Sequence, residues 1–342
     1  MSRDGQLVEL VAGVRGGARA GRLVAGLDLH PALTSERAGW VSRAVLAQAL
    51  AIVLLDDLMD RVPSAAAYIE EKLARGSTVH VDHGAVRTVA GVACGQLPPG
   101  QESVTRVLRA LGYQQAYTYD LARLAMTGRS WCHADLPAHI PQYFVSELHA
   151  ERFSPSFQAA AARVLGSARD PLDHAAQSRL AQLDERGGLD AAAAADLLPV
   201  LVTCFARQHD EPTLADYQLL VAESEEMAWI ATEGVGCFNH ATDRVADVAA
   251  AAAAERAAGR PIKDTVEVSG SGRIRQTAHR APLVSRRFGL PGGGSVSLEV
   301  PGSFFELISR DPLPDGSGLD LAFDAANAQQ IFAMTRGVRG SL

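Results

Sequence analysis

The feature that most constrains the fold is a short phrase present twice, as Asp82-His83-Gly84-Ala85-Val86-Arg87 and as Asn239-His240-Ala241-Thr242-Asp243-Arg244. Each copy puts an acidic or amide residue before a His and an Arg four positions after it. The first follows Thr78-Val79-His80-Val81, the β-branched alternation of a strand. A helix pattern and further strand-like runs come after each copy. The order strand, helix, strands therefore occurs twice, and an α+β fold is expected, built on two β-α-β-β-β modules whose opening strands carry the histidines.

The rest of the chain divides around these modules. In residues 36–75 apolar side chains such as Val45, Leu46, Ala49, Leu50, Val53 and Leu54 recur at helical spacing, so residues 1–75 are expected to be an N-terminal helical region. Residues 76–150 form the first sheet module, with a helix at 103–111 stopped by Gly112. Alanine-rich helical sequence makes 151–225 an insertion. The second sheet module spans 226–312, with a helix at 245–258 closed by Gly259 and Pro261. Its strands are expected at 275–279, 284–288, 296–300 and 303–309, two of them separated by the turn Pro291-Gly292-Gly293-Gly294. Residues 313–342 are a C-terminal tail, and all parts are read as one compact catalytic unit.

Bulk composition removes several function classes. With 39 acidic against 32 basic residues and a formal charge of -7, there is no basic stripe to neutralise phosphates, so no nucleic-acid partner is expected. Cys94, Cys132, Cys204 and Cys237 stand far apart without a C-x-x-C pair, which argues against a thiolate zinc site or a disulfide framework and fits reduced thiols. The longest apolar run, residues 44–55, is interrupted by Gln48 and falls short of the ~20 residues that cross a bilayer. A soluble, cytoplasmic chain with no membrane partner is expected.

On a strand, side chains alternate faces, so His83, Ala85 and Arg87 share one side, and His240, Thr242 and Arg244 share another. Near the C-terminus, Phe304, Glu306 and Ile308 share a face, which sets a carboxylate between large apolar neighbours. A buried ionised carboxylate requires a cation, a partner or a proton. A salt bridge to Arg310 is one answer; a metal held by His83, His240 and Glu306 is the other. Two imidazoles and one carboxylate are the protein ligands of a non-haem iron(II) facial triad, which leaves open positions for substrate and dioxygen. The remaining histidines lack a paired pattern, Asp56-Asp57-Leu58-Met59-Asp60 reads as the polar end of a helix, and the glycine run 292–294 reads as a hairpin turn.

The two His phrases, with Phe144-Val145-Ser146-Glu147-Leu148 and Val300-Pro301-Gly302-Ser303-Phe304-Phe305-Glu306-Leu307, resemble the 2-oxoadipate dioxygenase/decarboxylase family. That family is related to the vicinal oxygen chelate superfamily, and the resemblance covers roughly residues 36–312. It implies a vicinal-oxygen-chelate-like core, Fe(2+) on His83, His240 and Glu306, and Arg87 on the substrate carboxylate. It also implies a reaction of the lysine-catabolism type, from 2-oxoadipate and O2 to 2-hydroxyglutarate and CO2. Arg244 is taken with Arg87 as substrate-binding, while whether Arg244 or Arg280 in fact shares the substrate role stays open. So do two other readings: an oxygen-independent lyase or isomerase on the same scaffold, and a non-catalytic metal- or small-molecule-binding protein.

Overall fold

The computed structural model describes residues 5–35 and 39–324; the part of the expected C-terminal tail beyond 324 lies outside the described residues. Helices α1 (Gly5–Arg15) and α2 (Gly17–Ala25) precede the short strand β1 (Trp40–Ser42), then α3 (Arg43–Arg61) and α4 (Pro63–Ala74). The Ser42 hydroxyl caps α3 by accepting from the Val45 amide at 3.2 Å. Pro63, which has no amide hydrogen to extend α3, instead occupies the first turn of α4. Every residue of α3 from 44 to 56 is buried, so this helix lies inside the molecule. Its acidic end is a salt-bridge site: Asp56 meets Arg15 at 2.9 Å and Arg19 at 2.8 Å.

The first module comprises β2 (Val81–Ala90), α5 (Glu102–Ala110), β3 (Tyr113–Leu121), β4 (Met126–His133) and β5 (Gln142–His149). The insertion carries α6 (Pro155–Leu165), α7 (His174–Arg186), β6 (Gly188–Asp190), α8 (Ala191–Thr203) and α9 (Leu214–Glu223), and α10 (Glu225–Glu233) continues the helical run past the expected boundary at 225. Pairing of β6 with β1 ties it to the N-terminal helices. The second module comprises β7 (Phe238–Arg244), α11 (Val248–Ala257), β8 (Glu267–Val268), β9 (Ile274–Ala278), β10 (Leu283–Gly289), β11 (Ser295–Pro301) and β12 (Phe304–Arg310).

Eight strands form one sheet in the order β3-β4-β5-β2-β7-β12-β9-β8. The order reads the same from either edge once modules are exchanged. β5 runs parallel to β2 as β12 runs parallel to β7, and β2 meets β7 antiparallel at the seam. At that seam Gly84 pairs with Ala241, His83 with Thr242 and Ala85 with His240, so the two histidines sit symmetrically about the central pair. The expected strands near 284–288 and 296–300 do form, but β10 and β11 pair only with each other. They alternate exposed and half-buried residues, as a hairpin with one solvated face does.

One face of the sheet presents Val86, Val145, Phe238, Ala241, Phe305 and Leu307 to the core shared with α1, α3 and α8. Gly84 is needed on this face. A Cβ there would lie 2.1 Å from the Phe238 ring, so any other residue would force the ring to shift. The opposite face, carrying Ala85 and Phe144, packs toward α6 and α10 and encloses the site.

Candidate metal and substrate site

A narrow cavity opens on that second face, with His83, Arg87, His240, Phe304 and Glu306 in its wall. His83 Nε2 lies 3.4 Å and His240 Nε2 3.6 Å from Glu306 Oε2. All three donor atoms fall within 4.8 Å of one another, and all three residues are buried. Right-angle ligands at ~2.1 Å from an ion would stand ~3 Å apart, and the two His–Glu separations are already close to that spacing. Among the described residues no other group of three His, Cys, Asp or Glu side chains converges in this way. Glu306 Oε1 and His240 Nδ1 are buried without hydrogen-bond partners. A buried carboxylate oxygen left over in this manner is a place for a cation.

The strand pairing explains why the site has three protein donors. Relating the modules through the seam matches His83 with His240, and the parallel registers then match Phe144 with Glu306. An apolar ring therefore stands in the first module where the second has its carboxylate, so the modules contribute one donor and two.

Two β-bulges refine the phrases. Val81 pairs with Asp243 and His83 with Thr242, which leaves Asp82 as the extra residue; on β7 the extra residue is Asn239, between the pairs Ala85 to His240 and Val86 to Phe238. A bulge breaks alternation and re-aims a side chain. Asp82 accordingly comes to the side of its neighbour and lies 2.7 Å from His83 Nδ1, an arrangement that turns Nε2 toward Glu306. Asn239 joins the cavity wall.

The electrostatics follow from burial and pairing. Burial favours the neutral imidazole of His240 and, with some opposition from Glu306, brings its pKa down to about 4. In His83 burial acts in the same direction but is outweighed by Asp82 and Glu306, and the pKa is raised. Burial would raise the carboxyl of Glu306, yet His240, His83 and the Thr242 hydroxyl together hold it below the usual range. Asp82 is also buried, and Arg310, His83 and Arg244 hold it far below that range.

The arginines take separate places. Arg87 is fully buried in the cavity wall, with Nη1 2.9 Å from Glu226 of α10 and its guanidinium 4.6 Å from the Trp229 ring. Arg244, its counterpart in the second phrase, donates to Asp82 at 2.6 Å and to the Ala138 carbonyl at 3.0 Å. It is not among the residues lining the cavity and lies beside Asp82. The reason is local: Arg244 meets a carboxylate at the bulge of β2, whereas the matching bulge residue near Arg87 is the uncharged Asn239. Arg280 is exposed and 3.4 Å from Asp264. Arg310 pairs with Asp82 and not with Glu306. The other histidines lie outside the cavity wall; His80, for example, is 3.1 Å from Asp28.

The sequence of residues 48–331 matches the profile of the 2-oxoadipate dioxygenase/decarboxylase family. The chain belongs to this family. Its core is vicinal-oxygen-chelate-like, and the family name describes an oxygen-using, decarboxylating enzyme. A solved structure from Ralstonia eutropha JMP134, described as a glyoxalase superfamily protein, is 49% identical, with a TM-score of 0.89 over 94% of this chain and 98% of that one. The hydroxyglutarate synthase of Oryza sativa, solved with 2-oxoadipate, is 19% identical with a TM-score of 0.63, over 86% of this chain and 93% of that one. The corresponding enzyme of Pseudomonas putida with 2-oxoadipate is 20% identical with a TM-score of 0.62, over 87% and 74%. These two share the family fold. No protein of curated function matches the chain. No helix among the described residues is long and apolar enough to cross a membrane.

Proposed function

We propose that this chain is an iron(II)-dependent dioxygenase/decarboxylase of 2-oxo acids, converting 2-oxoadipate and O2 to 2-hydroxyglutarate and CO2. The observation that carries the reading is the presence of His83, His240, Glu306 and Arg87 in the wall of one buried cavity. The family match supports the reaction type, and the 2-oxoadipate complexes of the rice and Pseudomonas enzymes support the substrate.

Bound by His83, His240 and Glu306, iron(II) would supply the Lewis-acid and redox chemistry that dioxygen activation needs. The chain's own part is orientation, charge and exclusion of water. Asp82 fixes His83 so that Nε2 points at Glu306. Thr242 Oγ1 donates to Glu306 Oε2 at 3.1 Å and so orients this carboxylate beside His83. Arg87 offers a guanidinium edge to the distal carboxylate of a diacid, while Glu226 and Trp229 hold its other sides. Phe144 and Phe304 line the chamber with apolar surface, which strengthens these charge contacts by keeping water away.

Anaerobic loading with iron(II), followed by oxygen-uptake measurement and mass-spectrometric product analysis with 2-oxoadipate, tests the proposal. Release of CO2 and 2-hydroxyglutarate in step with oxygen uptake is expected. Absence of turnover with every 2-oxo acid in a chain-length panel overturns it, and turnover without oxygen transfers the site to lyase or isomerase chemistry.

A further inference from the structure

The cavity wall includes Phe323 and Asp324, which lie beyond the last strand of the sheet. Residues 319–324 carry no helix or strand, yet their attachments are numerous. Arg310 Nη1 donates to the carbonyls of Asp320 and Ala322, both at 2.8 Å, and its guanidinium stands 5.1 Å from the Phe323 ring. Arg273 holds the Asp320 carboxylate at 2.8 Å. The Phe323 amide donates to the Tyr119 hydroxyl at 2.9 Å, and the Gly270 amide donates to Asp324 at 3.0 Å. These anchors come from both modules.

Two further contacts connect the segment with the metal ligands. The Phe323 ring meets His83 edge-on at 4.8 Å and Phe144 at 5.1 Å, so it covers a donor imidazole. Arg310, its side chain buried, also donates from Nε and Nη2 to Asp82 at 2.9 to 3.1 Å. Asp82 in turn orients His83. One guanidinium thus binds the segment on one edge and, on the other, the carboxylate that aims a ligand.

We propose that residues 319–324 are a strap that completes the site. In this assignment Phe323 is the specificity-determining residue that limits the width of the substrate chamber beside His83. Arg310 is the positioning residue that makes closure of the strap and alignment of His83 a single arrangement. The inference rests on the metal and 2-oxo acid reading of the cavity. It assigns no chemical step to the strap, only shape, orientation and exclusion of water.

The test uses the full chain loaded with cobalt(II) under argon, so that binding is read from the visible spectrum without turnover. Phe323→Ala is expected to shift the ratio of Kd values for 2-oxoadipate and 2-oxo-4-phenylbutanoate by at least 10-fold toward the bulkier acid. Arg310→Lys is expected to weaken cobalt(II) binding by about 10-fold or more, as loss of support behind a metal-bound His does. It should also speed amide exchange across 319–324. Arg273→Gln, which loosens the strap without touching Asp82, should shift the ligand ratio in the same direction as Phe323→Ala and serves if Arg310→Lys does not fold. An unchanged ligand ratio in Phe323→Ala overturns the specificity role. Faster exchange in Arg310→Lys with unchanged cobalt(II) affinity reduces Arg310 to a structural tie and overturns the positioning role. Should the wild-type chain bind cobalt(II) and both acids but never consume oxygen, the proposed reaction fails while the strap is still judged by these ratios. If it binds no cobalt(II), exchange in the metal-free protein decides: unprotected amides at 319–324 in the wild type overturn the strap, and protection lost in Arg310→Lys supports it.

Discussion

Asp82→Asn isolates the support behind the candidate ligands. Asp82 is 1% exposed and receives Arg310 through three contacts of 2.9 to 3.1 Å, Arg244 at 2.6 Å, and the Nδ1 edge of His83 at 2.7 Å. Asparagine keeps the shape but removes the charge. Arg310 would then be a buried guanidinium without its counter-ion, which costs about 3–5 kcal/mol. The more exposed Arg244 adds ~1 kcal/mol at most. Against a total stability of about 5–15 kcal/mol the variant should be marginal, with a urea midpoint far below that of the wild type. Divalent-metal affinity, read by calorimetry on protein that is still folded, should fall about 10- to 100-fold. Pairing Asp82→Asn with Arg310→Met should recover much of the stability, because the orphaned charge is gone, but not the metal affinity. The pH dependence has a definite sign. Asp82 titrates well below the ordinary carboxylate range, so its contribution is fully present above about pH 3.9 and is lost only as pH falls through the lower native value. A loss under 1 kcal/mol, a metal affinity within twofold of wild type, or a deficit that disappears at pH 5 would refute the reasoning.

Other outcomes follow from single side chains. Glu306→Gln should abolish stoichiometric metal binding, and equilibrium dialysis showing one tightly bound ion per chain would contradict the ligand set. Arg87→Met combined with Glu226→Gln, which removes the buried pair together, should raise KM for a 2-oxo diacid about 10-fold or more while changing that of a 2-oxo monoacid little; equal effects on both would remove Arg87 from substrate recognition. His133 is buried, and burial lowers its pKa from 6.5 to about 4, so the unfolded chain takes up a proton first and stability is lost as pH falls from 6.5 toward 4. That loss is on the order of 3 kcal/mol, and denaturant titrations of His133→Asn should show a shallower decline than wild type over this range. Gly84→Ala would put a methyl 2.1 Å from the Phe238 ring, with an expected cost of about 1–3 kcal/mol in a thermal melt; a neutral change would mean that the seam yields easily.

The convergence of His83, His240 and Glu306 was legible because they lie on strands whose local patterns are clear. The place of Arg87 was legible for the same reason, since alternation survives from His83 through Ala85 to Arg87. The sequence did not reveal Asp82 behind His83. Strict alternation puts neighbouring residues on opposite faces, and the bulge that reverses this is a property of pairing with β7. The mirrored bulge at Asn239 was hidden in the same way, although both residues stand at the same place in the repeated phrase. Arg244 matched Arg87 in spacing, but its partner is fixed by the bulge on another strand. The hairpin of β10 and β11 had the composition of core strands, and only its pairing separates it from the sheet. Arg310 and Phe323 carry no local sign of their contacts, because those contacts span the modules.

The meeting of two modules along β2 and β7 has a mechanical consequence. Their ladder is interrupted by a bulge near each end, so backbone hydrogen bonding alone makes a narrow joint. An ion shared by His83 on one side and by His240 and Glu306 on the other would act as a clasp across that joint. Metal occupancy would then stiffen the whole eight-stranded sheet as well as its reactive centre, and thermal resistance would rise with metal concentration even when no substrate is present.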